Sequence, residues 1–498
     1  MKPTAVPAAL LVLGLLSACG TTVPLAQQSA VGSGLGPGAT TEQGTGATSS
    51  TGGSSTSGPS GAAEGAIDGS AASPAAASGA TGSTASGGSA GTSGGTTALP
   101  STTSARTPVE VGFFVFQDAG AAFAAVGYDG LATGDGSDEV NAAVALINRR
   151  GGLAGRSIKP VIYEADVATL SDSTFQAACS QFFDDHKVVA VVSITQSPVL
   201  ATCTTTHHVG LVAAGSGSVS KATVARTPAL LLSSVMTFED VATQLTDDLV
   251  RTRFFTSTGG LPVRIGLVRL DSPDYANVEG VVRARLKAAG LTLTDAVAMP
   301  NDGAAAASTQ GRAAALKFAG ENITHVLAVD NNGFGINWFA IGAQSNNYYP
   351  RYGLSTLANL SAQASSNGSE RTLRGAQGIG WSPAIDQPRS SQPQLGDHTA
   401  SCVAAMKSAG IDMSASFTNQ IALGTCDAVF LLQATLRGGD LTARGFAAGA
   451  VALGSSFASA MVFASDFGKS RAAARGYRSV AYDSGCTCFR YTSAVKSF

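Results

Sequence analysis

The chain of 498 residues has no cluster of lysine and arginine, and its formal net charge is −2. The electrostatic footprint that nucleic-acid binding needs is therefore missing, which leaves a small molecule or a protein as partner. Beyond the N-terminus no uninterrupted apolar run is long enough to cross a bilayer as a helix. The folded part holds no G-x-S-x-G nucleophile elbow and no Walker-type loop, and GSGS at Gly215 matches a phosphate loop only loosely. Its histidines are scattered, with His207-His208 read as the end of a surface helix. Trp338 and Trp381 are of a kind that stacks on ligands but belongs more often to a core. Nothing here assembles a catalytic constellation or calls for a cofactor, so no enzyme is expected.

What is present begins at the N-terminus. Lys2 supplies a positive start, Ala5 to Leu16 is an apolar run too short to span a membrane, and Leu16-Ser17-Ala18-Cys19 closes it with small residues. This resembles a bacterial lipoprotein signal, in which Cys19 becomes the lipidated first residue of the mature chain; the alternative is an ordinary cleaved signal peptide. The chain is thus expected outside the cytoplasm, with acyl chains as its membrane contact. From Gly20 to Arg106 there is no aromatic residue and no lysine, only Gly, Ser, Thr, Ala and Pro with rare exceptions. Such a segment cannot bury enough apolar surface to offset the entropy of folding, and a disordered tether is expected. As a flexible coil it spans about 50 Å end to end.

Beyond Cys19 stand Cys179, Cys203, Cys402, Cys426, Cys486 and Cys488. An even number in an oxidising compartment points to disulfides, with sequential pairing favoured by local proximity. The two larger loops would each contribute roughly 3 kcal/mol on the chain-entropy model. A metal at Cys203 with His207 and His208 is the rival reading, but the spacing fits no zinc pattern, and none is expected.

From Thr107 onward, strand-like runs alternate with amphipathic helical ones, an α/β arrangement of parallel sheets with helices on both faces. Strands are expected at Val109 to Phe116, Ser157 to Glu164, Val188 to Ile194 and Gly210 to Ala214. Between them Ser137 would cap a helix with apolar Val140, Ala143, Val144 and Ile147, and helices follow at Ser173 to His186 and Pro198 to His207. The pattern restarts with strands at Arg264 to Arg269, Leu291 to Met299, His325 to Val329 and Arg351 to Ser355. Helices at Tyr275 to Ala289, Thr309 to Gly320 and Gly335 to Ser345 separate them. Two such series imply two doubly wound lobes.

The stretch INRRGGLAGRSIKPVIYEAD, Ile147 to Asp166, resembles the signature of type 1 periplasmic solute-binding proteins, in particular the Leu/Ile/Val-binding class of ABC transporters. An amphipathic helix ends at a double glycine, a GR turn follows, and a strand finishes on an acid. In element order the resemblance covers nearly all of Thr107 to Phe498. It implies two doubly wound parallel-sheet lobes joined by a three-strand hinge, with residues 107–233 and 384–455 in one lobe and 234–383 and 456–498 in the other. It also implies a cysteine bridge around the third strand, which Cys179 and Cys203 fit.

In open parallel sheets, ligands bind beyond the carboxyl ends of the strands. The third strand delivers Thr195, Gln196 and Ser197, the last an N-cap followed by Pro198, whose free N–H groups favour a carboxylate. The next delivers Gly215, Ser216, Gly217 and Ser218. In the resembling binders these two positions hold the ligand's α-carboxylate. The second lobe offers Asp271, Ser272 and Tyr275, then Asp330, Asn331, Asn332 and Phe334, then Ser355 and Thr356. Branched-chain amino-acid binders carry a glutamate after the strand ending near Ser355, where it pairs with the ligand's ammonium, and YGLSTLANL has no acid there. Asp330 either supplies that charge or caps a helix. The loop Gln117 to Gly136 is longer than its counterpart, so no contact transfers to it. The expectation is a monomeric, lipid-anchored receptor that clamps a small polar molecule, an amino acid or related compound, and passes it to an ABC permease. The alternative is a sensor that reports the ligand to a signalling partner.

Overall fold

The computed structural model of the chain describes residues 107–117, 120, 134–215, 217–257, 259–300, 304–366 and 370–498. The signal, Cys19, the tether and Ser216 lie outside the described residues. A first sheet, in the order β2-β1-β3-β4-β5, is parallel throughout. Its strands are β1 (Val109–Gln117), β2 (Ile158–Asp166), β3 (Ala190–Ser193), β4 (Gly210–Ala213) and β5 (Leu230–Leu232). The near-continuous apolar run of β1 follows from burial on both faces. Val111, Phe113 and Val115 enter one core with Val140, Ala143 and Ile147 of α1 (Gly136–Arg149). Phe114 enters the other, with Phe175 of α2 (Asp172–Ser180) and Leu200 of α3 (Pro198–Thr206). A short helix, α4 (Lys221–Arg226), precedes β5.

The chain then crosses through α5 (Phe238–Arg251) to a second sheet in the order β12-β11-β10-β9-β8-β6-β7. Strands β6 (Ile265–Leu270), β7 (Leu293–Met299), β8 (His325–Val329), β9 (Arg351–Ser355) and β10 (Gln377–Gly380) are parallel. They are linked through α6 (Val278–Ala288), α7 (Ala304–Gly320), α8 (Phe334–Ser345) and, past β9, the short α9 (Leu360–Ser366) and α10 (Glu370–Leu373). After β10 the chain returns through α11 (Pro383–Asp386), α12 (Asp397–Ser408), α13 (Ser416–Thr435) and α14 (Ala443–Leu453). Of these, α13 packs on α1 and under β3 and β4. A third crossing leads to β11 (Gly476–Asp483), with β12 (Cys488–Tyr491) and β13 (Lys496–Ser497) beside it.

The three crossings are sewn to one another. The Trp381 indole, fully buried, donates to the Ser234 carbonyl at 3.0 Å, and Phe463 N donates to the Trp381 carbonyl at 3.3 Å. Leu232 N donates to Arg471 O at 2.8 Å and Ala473 N to Leu232 O at 3.0 Å. Thus Trp381 is core and not a ligand platform.

Several expectations change. Asp135, not Ser137, caps α1, accepting from Ser137 N at 2.8 Å; the closer carboxylate won over the hydroxyl. Helix α2 stops at Ser180 in a π turn over Gln181–Asp185, and α6 starts at Val278 after a 3-10 turn at Pro273–Tyr275. The second lobe is not wholly parallel: β11 runs antiparallel to β10, because the returning C-terminal segment closes the open sheet edge. The Cα atoms of Cys179 and Cys203 lie 6.2 Å apart, those of Cys402 and Cys426 5.9 Å and those of Cys486 and Cys488 5.2 Å, all within disulfide reach. No described helix is long and apolar enough to cross a membrane.

Replacing Trp381 with Phe keeps most of the ring but strands the Ser234 carbonyl, so unfolding in urea should show a loss of about 1–2 kcal/mol. Trp381→Ala adds a cavity and should cost about 4 kcal/mol. A Trp381→Phe variant as stable as the wild type would show that the indole hydrogen bond does not matter.

Candidate functional site

The carboxyl ends of the two sheets face each other. Past β4, Ser218 N donates to the Asn331 side-chain oxygen at 3.0 Å, and Asn331 follows β8. Ser220 and Thr223 each donate a hydroxyl to the Asp274 carboxylate at 2.6 Å, and Asp274 follows β6. These bonds join loops of the first sheet to loops of the second across one cleft. Beside them Lys221 pairs with Asp240 of α5 at 2.7 Å, and Arg475 reaches the same carboxylate at 3.1 Å.

In the first lobe, the Ser197 hydroxyl accepts from Val199 N at 3.2 Å and Leu200 N at 3.4 Å, so it caps α3, with Pro198 at the first helical position as its sequence requires. Thr195 and Gln196 are half-buried at the β3 tip, and the Gln196 amide points at the Gly217 carbonyl, 3.5 Å away. Gly215 takes φ +94°, a left-handed conformation that glycine tolerates without strain, and its carbonyl accepts from Ser234 Oγ at 2.6 Å. Ser218 is buried and its hydroxyl donates to the Met236 carbonyl.

In the second lobe, Asp271 is exposed at the β6 tip, its N–H donating to Met299 O at 2.7 Å. Tyr275 is buried against Phe238, ring centroids 4.1 Å apart, and its hydroxyl has no hydrogen-bond partner among the described residues. Burial holds that hydroxyl well above its ordinary range, and Asp330 and Asp274 push it further, so it sits within electrostatic reach of both loops. Phe334, half-buried, opens α8. Ser355 is fully buried at the β9 tip, its hydroxyl also without a described partner.

Asp330 caps α8: one carboxylate oxygen accepts from Ile336 N at 2.7 Å. Its other oxygen, fully buried, has no partner among the described residues. Burial raises this carboxyl to about 7, against the pull of the N–H groups of Ile336, Gly335 and Gly333. Two further buried acids join the crossings. Asp386 accepts from Tyr491 Oη at 2.7 Å and Ser382 N at 3.1 Å and is raised to about 7 by burial; Asp427 accepts from Ala460 N at 2.6 Å and is raised by burial too.

The sequence reading missed Glu139. It lies in the first turn of α1, beyond the β1 tip, 1% exposed, with neither carboxylate oxygen partnered among the described residues. Burial, with Asp135 and Asp138 beside it, lifts its carboxyl to about 8. Its place in the series 139, 143, 147 puts it on the inward face of α1, a signal that was legible. A separate cavity of about 250 Å³, bordered by Arg389, Val403, Lys407 and Leu423, lies between α11, α12 and α13 and is lined by none of the strand-tip residues above. Among the described residues, Cys179, Cys203 and His207 are grouped closely enough to hold a metal; the two sulfurs face each other at disulfide distance.

The fold is that of type 1 periplasmic binding proteins. A branched-chain amino-acid ABC transporter structure from Thermus thermophilus with bound valine is 13% identical, covering 79% of this chain and 97% of that one, with TM-score 0.57. An ABC transporter substrate-binding protein from Desulfitobacterium hafniense in complex with Leu is 16% identical over 77% of this chain and 99% of its own, with TM-score 0.52. A fatty acid ABC transporter substrate-binding protein from Thermomonospora curvata is 12% identical over 79% and 93%, with TM-score 0.53. No protein-family model and no curated protein matches the sequence.

The buried acids set a pH dependence. Glu139, Asp330 and Asp386 have folded-state values of about 8, 7 and 7 against ordinary values of 4.5, 3.8 and 3.8. The folded state therefore binds more protons between those limits, and the stability the acids contribute is complete below about pH 4 and lost as pH rises through 7 to 8. Thermal unfolding should shift to lower temperature from pH 5 to pH 8, and Glu139→Gln should flatten the slope. A transition temperature that rises across this window in the wild type would contradict the assignment.

Proposed function

We propose that the chain is a lipid-anchored, extracytoplasmic solute-binding protein, held to the membrane through Cys19 and a flexible tether, that closes two lobes on a small polar molecule and hands it to an ABC permease. The observation that carries this reading is the opposition of strand tips across one cleft. Loops after β4 meet loops after β6 and β8, and unpartnered buried polar atoms of Tyr275, Asp330 and Ser355 stand at those tips. Buried polar groups are nearly always paired, so such atoms call for a partner that a ligand can provide. The three crossings serve as the hinge, with lobes at 107–233 plus 384–455 and 234–383 plus 456–498. The ligand shifts the open-closed equilibrium by the contacts it gains only on closure. Binding, orientation and release are all the task requires, and no catalytic step or cofactor enters it. The molecule works as a monomer, and its three cysteine pairs are oxidised in the exported protein.

Two measurements test this. Small-angle scattering of the purified protein across a metabolite library should show a decrease in radius of gyration with the ligand that calorimetry finds to bind. A library that binds nothing and never changes the curve would remove the basis for a clamp. Separately, non-reducing mass spectrometry after alkylation should leave all six downstream cysteines unmodified, and the double change Cys402→Ser, Cys426→Ser should lower stability by roughly 3 kcal/mol.

A further inference from the structure

The charge distribution at the strand tips is one-sided. The described loops at the carboxyl ends of β3, β4, β5, β6, β8 and β9 contain Asp271, Asp274 and Asp330, and no lysine or arginine. Lys221 and Arg475 pair with Asp240, whereas Arg269, within β6, donates one N–H to the Leu270 carbonyl at 3.1 Å and its Nε has no partner among the described residues. A cleft lined by one sign between low-dielectric walls focuses its field on whatever enters.

A second, independent observation points to a ligand at the same place. Tyr275 Oη, 3% exposed, and the second carboxylate oxygen of Asp330, 0% exposed, are unpartnered among the described residues at the tips of β6 and β8. An ionised carboxylate oxygen only accepts, a cation beside Asp330 favours that ionised form, and a tyrosine hydroxyl can accept as well as donate, so a donor-rich group is what both can take. An ammonium or guanidinium is all donor. An anion would meet a carboxylate with no counter-charge, at a cost that steepens as water is excluded.

We infer that the solute is a small organic amine whose positive charge exceeds that of any carboxylate it carries, with its cationic end received by the second-lobe loops after β6 and β8. This rests on the solute-binding reading. The sequence expectation of a carboxylate site at the α3 N-terminus does not hold: Pro198 carries no N–H, the N–H groups of Val199 and Leu200 donate to the Ser197 hydroxyl, and that of Ala201 donates to the Ser197 carbonyl.

Calorimetry on the full-length protein in detergent separates the cases with probes of matched length: lysine, norleucine and 2-aminoadipate, then 1,5-diaminopentane and glutarate. The cationic members should bind about tenfold or more tightly than their anionic counterparts. Their affinity should fall as sodium chloride rises from about 20 mM to about 500 mM, because added ions screen the cleft. Asp271→Asn, at an exposed strand tip where folding is not at stake, should weaken the cationic probe about fivefold while leaving norleucine within about twofold, as an accessible ion pair does. Equal or tighter binding of 2-aminoadipate or glutarate would overturn the inference. Native mass spectrometry reads the charge of any co-purified molecule directly. An amine supports the inference, and an acidic or uncharged molecule overturns it while leaving solute binding intact. No co-purified molecule, together with no binding by any probe, would overturn solute binding itself and the inference with it.

Discussion

The hydrogen bond from the Trp381 indole to the Ser234 carbonyl lies where the chain's first and second passages between the sheets touch. The third passage joins through Phe463 N to the Trp381 carbonyl and through the short parallel pairing of Leu232 with Ala472. Because each crossing bonds to the others, the relative placement of the two sheets is set at this point, and the cleft beyond inherits it. Around it, Asp386 and Asp427 are buried, each accepting a backbone N–H, from Ser382 and Ala460, on one oxygen while the other has no partner among the described residues.

At the other end of each lobe the contacts are lighter. Ser218 with Asn331, and Ser220 and Thr223 with Asp274, are hydrogen bonds at the mouth of the cleft, each worth little net because water can replace the partner. The close packing behind the cleft differs in kind: a Cβ on Gly424 of α13 would stand 3.2 Å from Gly215 N, so helix and β4 loop approach as only glycine comfortably allows.

Much of this was legible in the residues. The double-glycine end of α1, the apolar run of β1 and the Ser197-Pro198 helix start appear where their chemistry puts them. The boundaries that moved did so by local competition, as when Asp135 took the cap from Ser137. What was not legible had no local signature. β5 and β10 are three and four residues long and too short to show a period. The antiparallel pairing of β11 depends on a segment that follows β10 by nearly a hundred residues. Glu139 is the exception: its spacing with Ala143 and Ile147 marked the inward face of α1, where α13 packs over that helix and the carboxylate is buried.

The sequence by itself determined the alternation of strands and helices and its division into two α/β series. These depend on residue type and spacing along a single stretch of chain. Tertiary structure alone decided which loops meet, that Asp330 spends one oxygen on α8 and leaves the other unpaired, and that Trp381 belongs to the crossings. Those facts depend on distances between segments far apart in the chain, and no local pattern encodes a distance that only packing of the whole can set.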